Sequence, residues 1–167
     1  MGGARKAAWW ELWGNIHHQG TVYEATVPAV RFIGSIAADA DHPDRVQALC
    51  FLREIAVGSG QLAPAASAAV RPVAEALLRG SRNEPVLVQR AMLWLLAAFP
   101  SLVSKHEDLL RLLPDSMRAT WDDVLDRLRR RGEDHQPDEA GDAAFDRQHE
   151  LEAWALAGWV EPAVDGA

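Results

Sequence analysis

An all-α fold, an α-solenoid of about three to four antiparallel helix pairs closed by a C-terminal capping helix, is what this 167-residue sequence predicts. Three observations carry that prediction. Apolar residues recur at helical spacing along most of the chain, with no strand-type alternation to compete. A two-helix pattern repeats, with first helices opening near residues 5, 43 and 84 and second helices near 27, 66 and 104. Ala29-Val30-Arg31 also returns as Ala69-Val70-Arg71, 40 positions later.

Residues 4 to 17 form the first helix, with Ala8, Leu12 and Ile16 on one face and Trp9 and Trp13 beside it. Gly20 breaks it inside a long polar corner. Thr26 is the expected N-cap of the second helix, with Pro28 in its first turn and Val30, Ile33 and Ala37 as its buried stripe. Asp41-His42-Pro43-Asp44 opens the next pair as a cap followed by an early proline, and Gly58-Ser59-Gly60 ends its first helix. The partner helix, about Ala65 to Leu78, contains Pro72, which predicts a kink or a later start.

Asn83-Glu84-Pro85 opens a third pair with Val88, Ala91, Met92 and Leu95 inward, stopping at Pro100. Ser104-Lys105-His106-Glu107 has capping-box spacing and predicts a helix through Leu109, Leu110 and Leu113. After Pro114, the positions Met117, Trp121, Val124, Leu125 and Leu128 define an amphipathic helix, and Arg129, Arg130 and Arg131 suit its carboxyl end, where cations oppose the helix dipole. The expected organisation is a helical body over 1–131, a linker over 132–137, and an acidic C-terminal helix and tail over 138–167 packed on the same domain.

Composition bounds the function. With 49% apolar residues the chain has enough to bury one domain core. It shows no apolar run of membrane-spanning length and no signal-peptide pattern, so the expected location is the cytoplasm, away from membranes. The single cysteine, Cys50, has no partner for an internal disulfide and sits in an apolar helical pattern. Net charge is −7 and is concentrated: residues 132 to 152 hold eight acidic groups against Arg147 alone, leaving residues 1 to 131 slightly basic.

The openings Asp44-Arg45-Val46-Gln47-Ala48 and Glu84-Pro85-Val86-Leu87-Val88-Gln89-Arg90-Ala91 resemble the repeat pattern of bacterial HEAT-like proteins: an acid, an optional proline, then valine, a polar residue and alanine. The stretch Leu12-Trp13-Gly14-Asn15-Ile16-His17-His18-Gln19-Gly20-Thr21-Val22-Tyr23-Glu24-Ala25-Thr26 is similar to the first repeat of a group of uncharacterised actinobacterial proteins of this class. The resemblance covers roughly residues 4 to 100 and departs at Arg31, where such relatives commonly show proline before the aromatic. It implies a solenoid that binds something on a curved face, with no catalytic residues.

No catalytic or cofactor motif is present. His106-Glu107 and His149-Glu150 begin zinc-protease patterns that fail at Leu110 and Ala153, and Gly58-Ser59-Gly60 lacks the third glycine of a phosphate-binding turn. Adjacent His17 and His18 point about 100° apart on a helix, which is poor metal-ligand spacing. Their other roles are to tie down the corner together with Gln19 and Thr21, or to form a ligand surface with Gln19, Tyr23 and Glu24. Arg31 and Arg71 are expected in one row on a concave face, a surface for an acidic peptide or a phosphate backbone. Of the adjacent Trp9 and Trp10, one must leave the buried stripe; Trp10 is a candidate partner anchor or end cover.

The function these features favour is non-enzymatic: binding of a protein or peptide on the concave face, as an adaptor, a regulator or an immunity-type partner. One alternative is nucleic-acid binding or a HEAT-like DNA glycosylase-type enzyme, by analogy of architecture, with Glu24 or Glu75 as the acid. Another is a fragment of a longer solenoid that homodimerises through Trp9, Trp10 or the last helix.

Overall fold

The structure, a computed structural model, describes residues 2–18, 20–131 and 142–157. Helices dominate it: α1 (Gly2–Ile16), α2 (Thr26–Ala38), α3 (Arg45–Ala56), α4 (Ala63–Arg79), α5 (Val86–Ala97), α6 (Asp115–Arg131) and α7 (Asp142–Ala155). Their buried stripes follow the predicted spacing. Val30, Ile33 and Ala37 of α2 are buried, as are Val70, Ala74 and Leu77 of α4 and Met117, Trp121, Val124 and Leu125 of α6. The expected linker and the first residues of the acidic segment, 132–141, lie outside the described residues, as does Trp159.

Short connections set the packing. The hairpins α2–α3 and α3–α4 reverse the chain twice, so α2 and α4 run parallel and touch side by side. Helix α3 packs on α2, α4 and α5 and is buried on nearly all sides, including Leu49, Phe51, Leu52 and Ile55. Helix α7 packs on α5 and α6.

Two structural features are spaced 40 residues apart. Gly20 and Gly60, 40 apart, both adopt positive φ, +81° and +92°, at matching corners; a side chain there would be strained. Arg5 reaches Asp44 at 3.1 Å, and Arg45, 40 residues after Arg5, reaches Glu84, 40 residues after Asp44. Arg82 also pairs with Asp108, at 2.8 Å.

These pairs correct the predicted caps. Helix α3 begins at Arg45 rather than in the Asp41–Asp44 turn, and α5 begins at Val86 after Pro85, with no side-chain cap bond at either. Asp44 and Glu84 instead pair their carboxylates with arginines from earlier in the chain, joining separate parts of the fold by charge-assisted hydrogen bonds. Helix α4 runs from Ala63 through Pro72, starting two residues early; Pro64 in its first turn needs no backbone donor there.

Two other expectations change. The helix predicted from Ser104 is replaced by 3-10 segments, Pro100–Lys105 and Glu107–Leu112, divided at His106. Leu102, Leu109 and Leu113 remain buried, so the apolar pattern is met by tighter turns in the short span between Pro100 and Pro114. The buried edge of α1 is Trp9, Leu12, Trp13 and Ile16, with Ala8 exposed, because both indoles pack on Phe51.

Candidate interaction face

The polar corner is a small hairpin. β1 (His17–His18) pairs antiparallel with β2 (Thr21–Val22), His17 opposite Val22 and His18 opposite Thr21. Two-residue strands are too short to show an alternation in sequence. Ser59 adds a parallel bridge to Thr21: its amide donates to the Gly20 carbonyl at 2.6 Å, its hydroxyl to the same carbonyl at 2.9 Å, and its own carbonyl accepts from Val22 N at 3.3 Å. Approach is close enough that a Cβ on Gly58 would lie 2.6 Å from Val22 Cγ1.

Thr26 finishes the corner, though not as the predicted N-cap. It is the first residue of α2, fully buried, and its hydroxyl accepts from Tyr23 N at 2.8 Å while donating to the carbonyl of Ile16. One side chain thus joins the end of α1 to the start of α2. His17 is also buried, its ring edge-on to Trp13 and Phe51 at 5.3 and 6.2 Å. Gln19 and the His18 side chain lie outside the described residues. Tyr23 and Glu24 are exposed where the chain leaves the hairpin, and Trp10 stands out from α1, 79% exposed. The polar corner is therefore organised by bonds within the protein.

A different surface stays open. Where α2 and α4 run side by side, Gly34 lets them meet: a Cβ there would come within 2.8 Å of Val73 Cγ1. Beside that contact lies a groove of about 340 Å³ lined by Gly34, Ala38, Pro72, Val73, Ala76 and Leu77, all apolar. Arg31 shares the groove flank of α2 with Gly34 and Ala38 (i, i+3, i+7), and Arg79 follows Ala76 by one turn on α4. Both are exposed, and neither enters an ion pair among the described residues. Val27 is 37% exposed on the same helix as Arg31, and Phe32, on the other edge of α2, is 60% exposed.

Arg31 and Arg71 do occupy matching places, each directly after a buried valine on neighbouring parallel helices. They differ in engagement. Arg71 lies 3.4 Å from Glu75, 3.1 Å from Ser101 Oγ and 6.0 Å from the Phe99 ring centroid, toward the next element of the chain.

Sequence reasoning missed three features. Phe32 falls off the buried stripe, a signal that was present in its spacing from Val30 and Ile33. Arg79 stands one turn beyond Ala76 on α4, beside a groove that only the pairing of α2 with α4 creates. The third is an internal polar cluster, in which Arg53 is fully buried with its guanidinium 3.9 Å from the Trp94 ring centroid and Nη1 2.6 Å from Glu54 Oε1. Glu152 of α7 acts on the same group; burial first, then repulsion from Glu54, pushes its carboxyl above the usual range. Burial, followed by those two carboxylates, drives the Cys50 thiol up to about 12, so it is an inert packed thiol. No group of three or more His, Cys, Asp or Glu side chains is placed to hold a metal among the described residues.

No family model matches the chain, and no match is found among curated proteins or solved structures. No helix among the described residues is long and apolar enough to cross a membrane.

Proposed function

We propose that the chain is a non-enzymatic interaction module, a short HEAT-like α-solenoid that binds a protein or peptide on the face formed by α2 and α4. One observation carries the reading: an apolar groove along the seam of two parallel helices, with Arg31 at one end, Arg79 near the other, and no acid lining it. An apolar floor between cations selects an apolar segment flanked by acidic residues, the helix-in-groove mode with charged ends. The solenoid reading draws on the matched corners at Gly20 and Gly60 and on the matched pairs Arg5–Asp44 and Arg45–Glu84.

The nucleic-acid reading has less support. Its candidate acid Glu75 is committed to Arg71, and its other candidate, Glu24, sits on the exposed exit of the hairpin.

Selection of displayed random peptides against the chain tests the proposal. Enrichment of apolar peptides with flanking Asp or Glu, whose binding falls at least about tenfold in both Arg31→Glu and Ala76→Arg, supports it. Peptides indifferent to both changes would overturn the groove. Binding of duplex DNA at low salt, lost with the same arginine, would transfer the face to the nucleic-acid reading.

A further inference from the structure

The groove between α2 and α4 restricts what it can hold. Its floor is apolar, and its two flanking cations stand at fixed stations along the seam. Gly34 and Val73 meet at one level of the two helices. Arg31 lies three residues before Gly34 and Arg79 six after Val73 on helices that run parallel, so at 1.5 Å per residue they stand about 13–14 Å apart along the seam. A segment that satisfies both must carry two acids at that separation, with apolar side chains between them.

The chain itself contains such a segment. After Ala157, the last described residue, it continues Gly158-Trp159-Val160-Glu161-Pro162-Ala163-Val164-Asp165-Gly166-Ala167. Pro162 fixes its own φ and disfavours helical geometry at Glu161, so the residue spacing to use is the extended, polyproline one. At that spacing, about 3.1 Å per residue, Glu161 and Asp165 stand about 12 Å apart with Pro162, Ala163 and Val164 between them. Charge, spacing and apolar content thus match the groove together. Residues 132–141 are acidic too, but they hold no apolar side chain larger than Pro137 to set against the floor.

Reach decides whose groove is filled. Helix α7 packs on α5 and α6, and α4 is reached from it across α5. Two such helix-to-helix steps cover about 16–20 Å. The four residues from Ala157 to Glu161 span at most about 14 Å, which favours the groove of another molecule. We propose that residues 159–165 of one chain dock in the α2–α4 groove of a second copy, Glu161 and Asp165 pairing with Arg31 and Arg79 while Pro162, Ala163 and Val164 cover the apolar floor. The inference rests on the groove reading above and adds to it a self-contact, which competes with any acidic partner for the same surface.

Sedimentation equilibrium of the full chain tests it. The average mass is expected to rise from that of one chain at about 10 μM toward that of two or more at about 1 mM, a weak association suited to so small an interface. Two double variants separate groove from segment: Arg31→Glu with Arg79→Glu, and Glu161→Arg with Asp165→Arg. Each alone should keep the mass of one chain, whereas an equal mixture should associate, because one retains the wild-type segment and the other the wild-type groove. Misfolded variants would not regain association on mixing. A wild type that stays monomeric throughout would overturn the proposal, as would a mixture that stays monomeric. Association that neither double variant reduces would also overturn it and move the contact elsewhere, Trp10 of α1 being the exposed alternative. If the wild type is monomeric and Glu161→Arg with Asp165→Arg binds a selected acidic peptide more tightly than it does, the segment fills its own groove and the second copy is excluded. The groove reading fails separately, since displayed peptides that bind there in a chain that does not self-associate leave it standing.

Discussion

The corner at residues 17–26 and the seam between α2 and α4 are neighbours in the chain with opposite characters. The corner is rich in polar side chains and looks like a site, yet its hydroxyl and carbonyl groups are consumed internally: Thr26 joins Tyr23 to Ile16, and Ser59 joins Gly20 to Val22. The seam is made of Gly, Ala, Val, Pro and Leu and looks like interior, yet it leaves an open groove between exposed arginines. A polar group satisfied within the fold has little left to offer a ligand. An apolar surface left uncovered still holds the free energy of its burial, at about 25 cal/mol per Å².

The sharpest way to break this contrast is at the base of the corner. Phe51 is fully buried under Trp9, Trp13 and His17, stacked 4.2 Å from Trp13. Phe51→Ala should cost about 3–5 kcal/mol, read as a lowered midpoint in urea unfolding. If α1 and its hairpin were instead loosely attached, the loss would fall well under that.

Next is the bidentate pair that ties α3 to the start of α5. Both Arg45 Nη atoms donate to Glu84 at 2.7 Å, and Arg45 Nε donates to the Ala37 carbonyl at 2.9 Å. Glu84→Gln is expected to cost about 1.5–3 kcal/mol at neutral pH. The bonds from Arg45 hold the Glu84 carboxyl below its ordinary value of 4.5. The unfolded chain therefore takes up this proton first, and the stabilisation is complete above that value and lost as pH falls through the lower, folded one. Urea midpoints between pH 7 and 3 should decline less steeply in Glu84→Gln than in the wild type.

Thr26→Val comes third. It keeps the shape but strands a buried carbonyl at Ile16 and an amide at Tyr23, for about 1–3 kcal/mol. Local opening is the more specific readout. Hydrogen exchange at Tyr23 should quicken more than at Ile33, and equal changes at both would show that the corner does not open by itself.

How far the sequence was legible follows the range of the interactions. Helix α6 was readable because Met117, Trp121, Val124 and Leu125 carry their burial in their own spacing. Ala29-Val30-Arg31 returns as Ala69-Val70-Arg71, and Gly20 and Gly60, also 40 apart, both adopt positive φ. The hairpin was not, since the partners of Gly20 and Val22 lie at Ser59, and no local pattern announces a bridge 39 residues long. Arg53 was missed for the same reason: its stacking partner Trp94 is on another helix, and an arginine in an amphipathic helix ordinarily stays in water. The stretch from Pro100 to Leu113 shows apolar spacing satisfied by 3-10 turns, which the spacing of leucines alone does not distinguish from an α-helix.

The smallest expected effect decides the most about the seam. Arg31 and Phe32 are exposed, and Arg31 has no ion-pair partner among the described residues, so Arg31→Glu and Phe32→Ser should each move stability by no more than about 0.5 kcal/mol. Ala76→Arg, also at an exposed helix position, belongs with them. A residue that serves the fold cannot be changed so cheaply, as Thr26 and Glu84 should demonstrate. If urea midpoints of Arg31→Glu and Ala76→Arg match the wild type while binding of a selected acidic peptide falls about tenfold or more, the groove acts in recognition without acting in folding. If either variant is destabilised by more than about 1 kcal/mol, the seam is part of the packing after all, and the contrast with the corner dissolves.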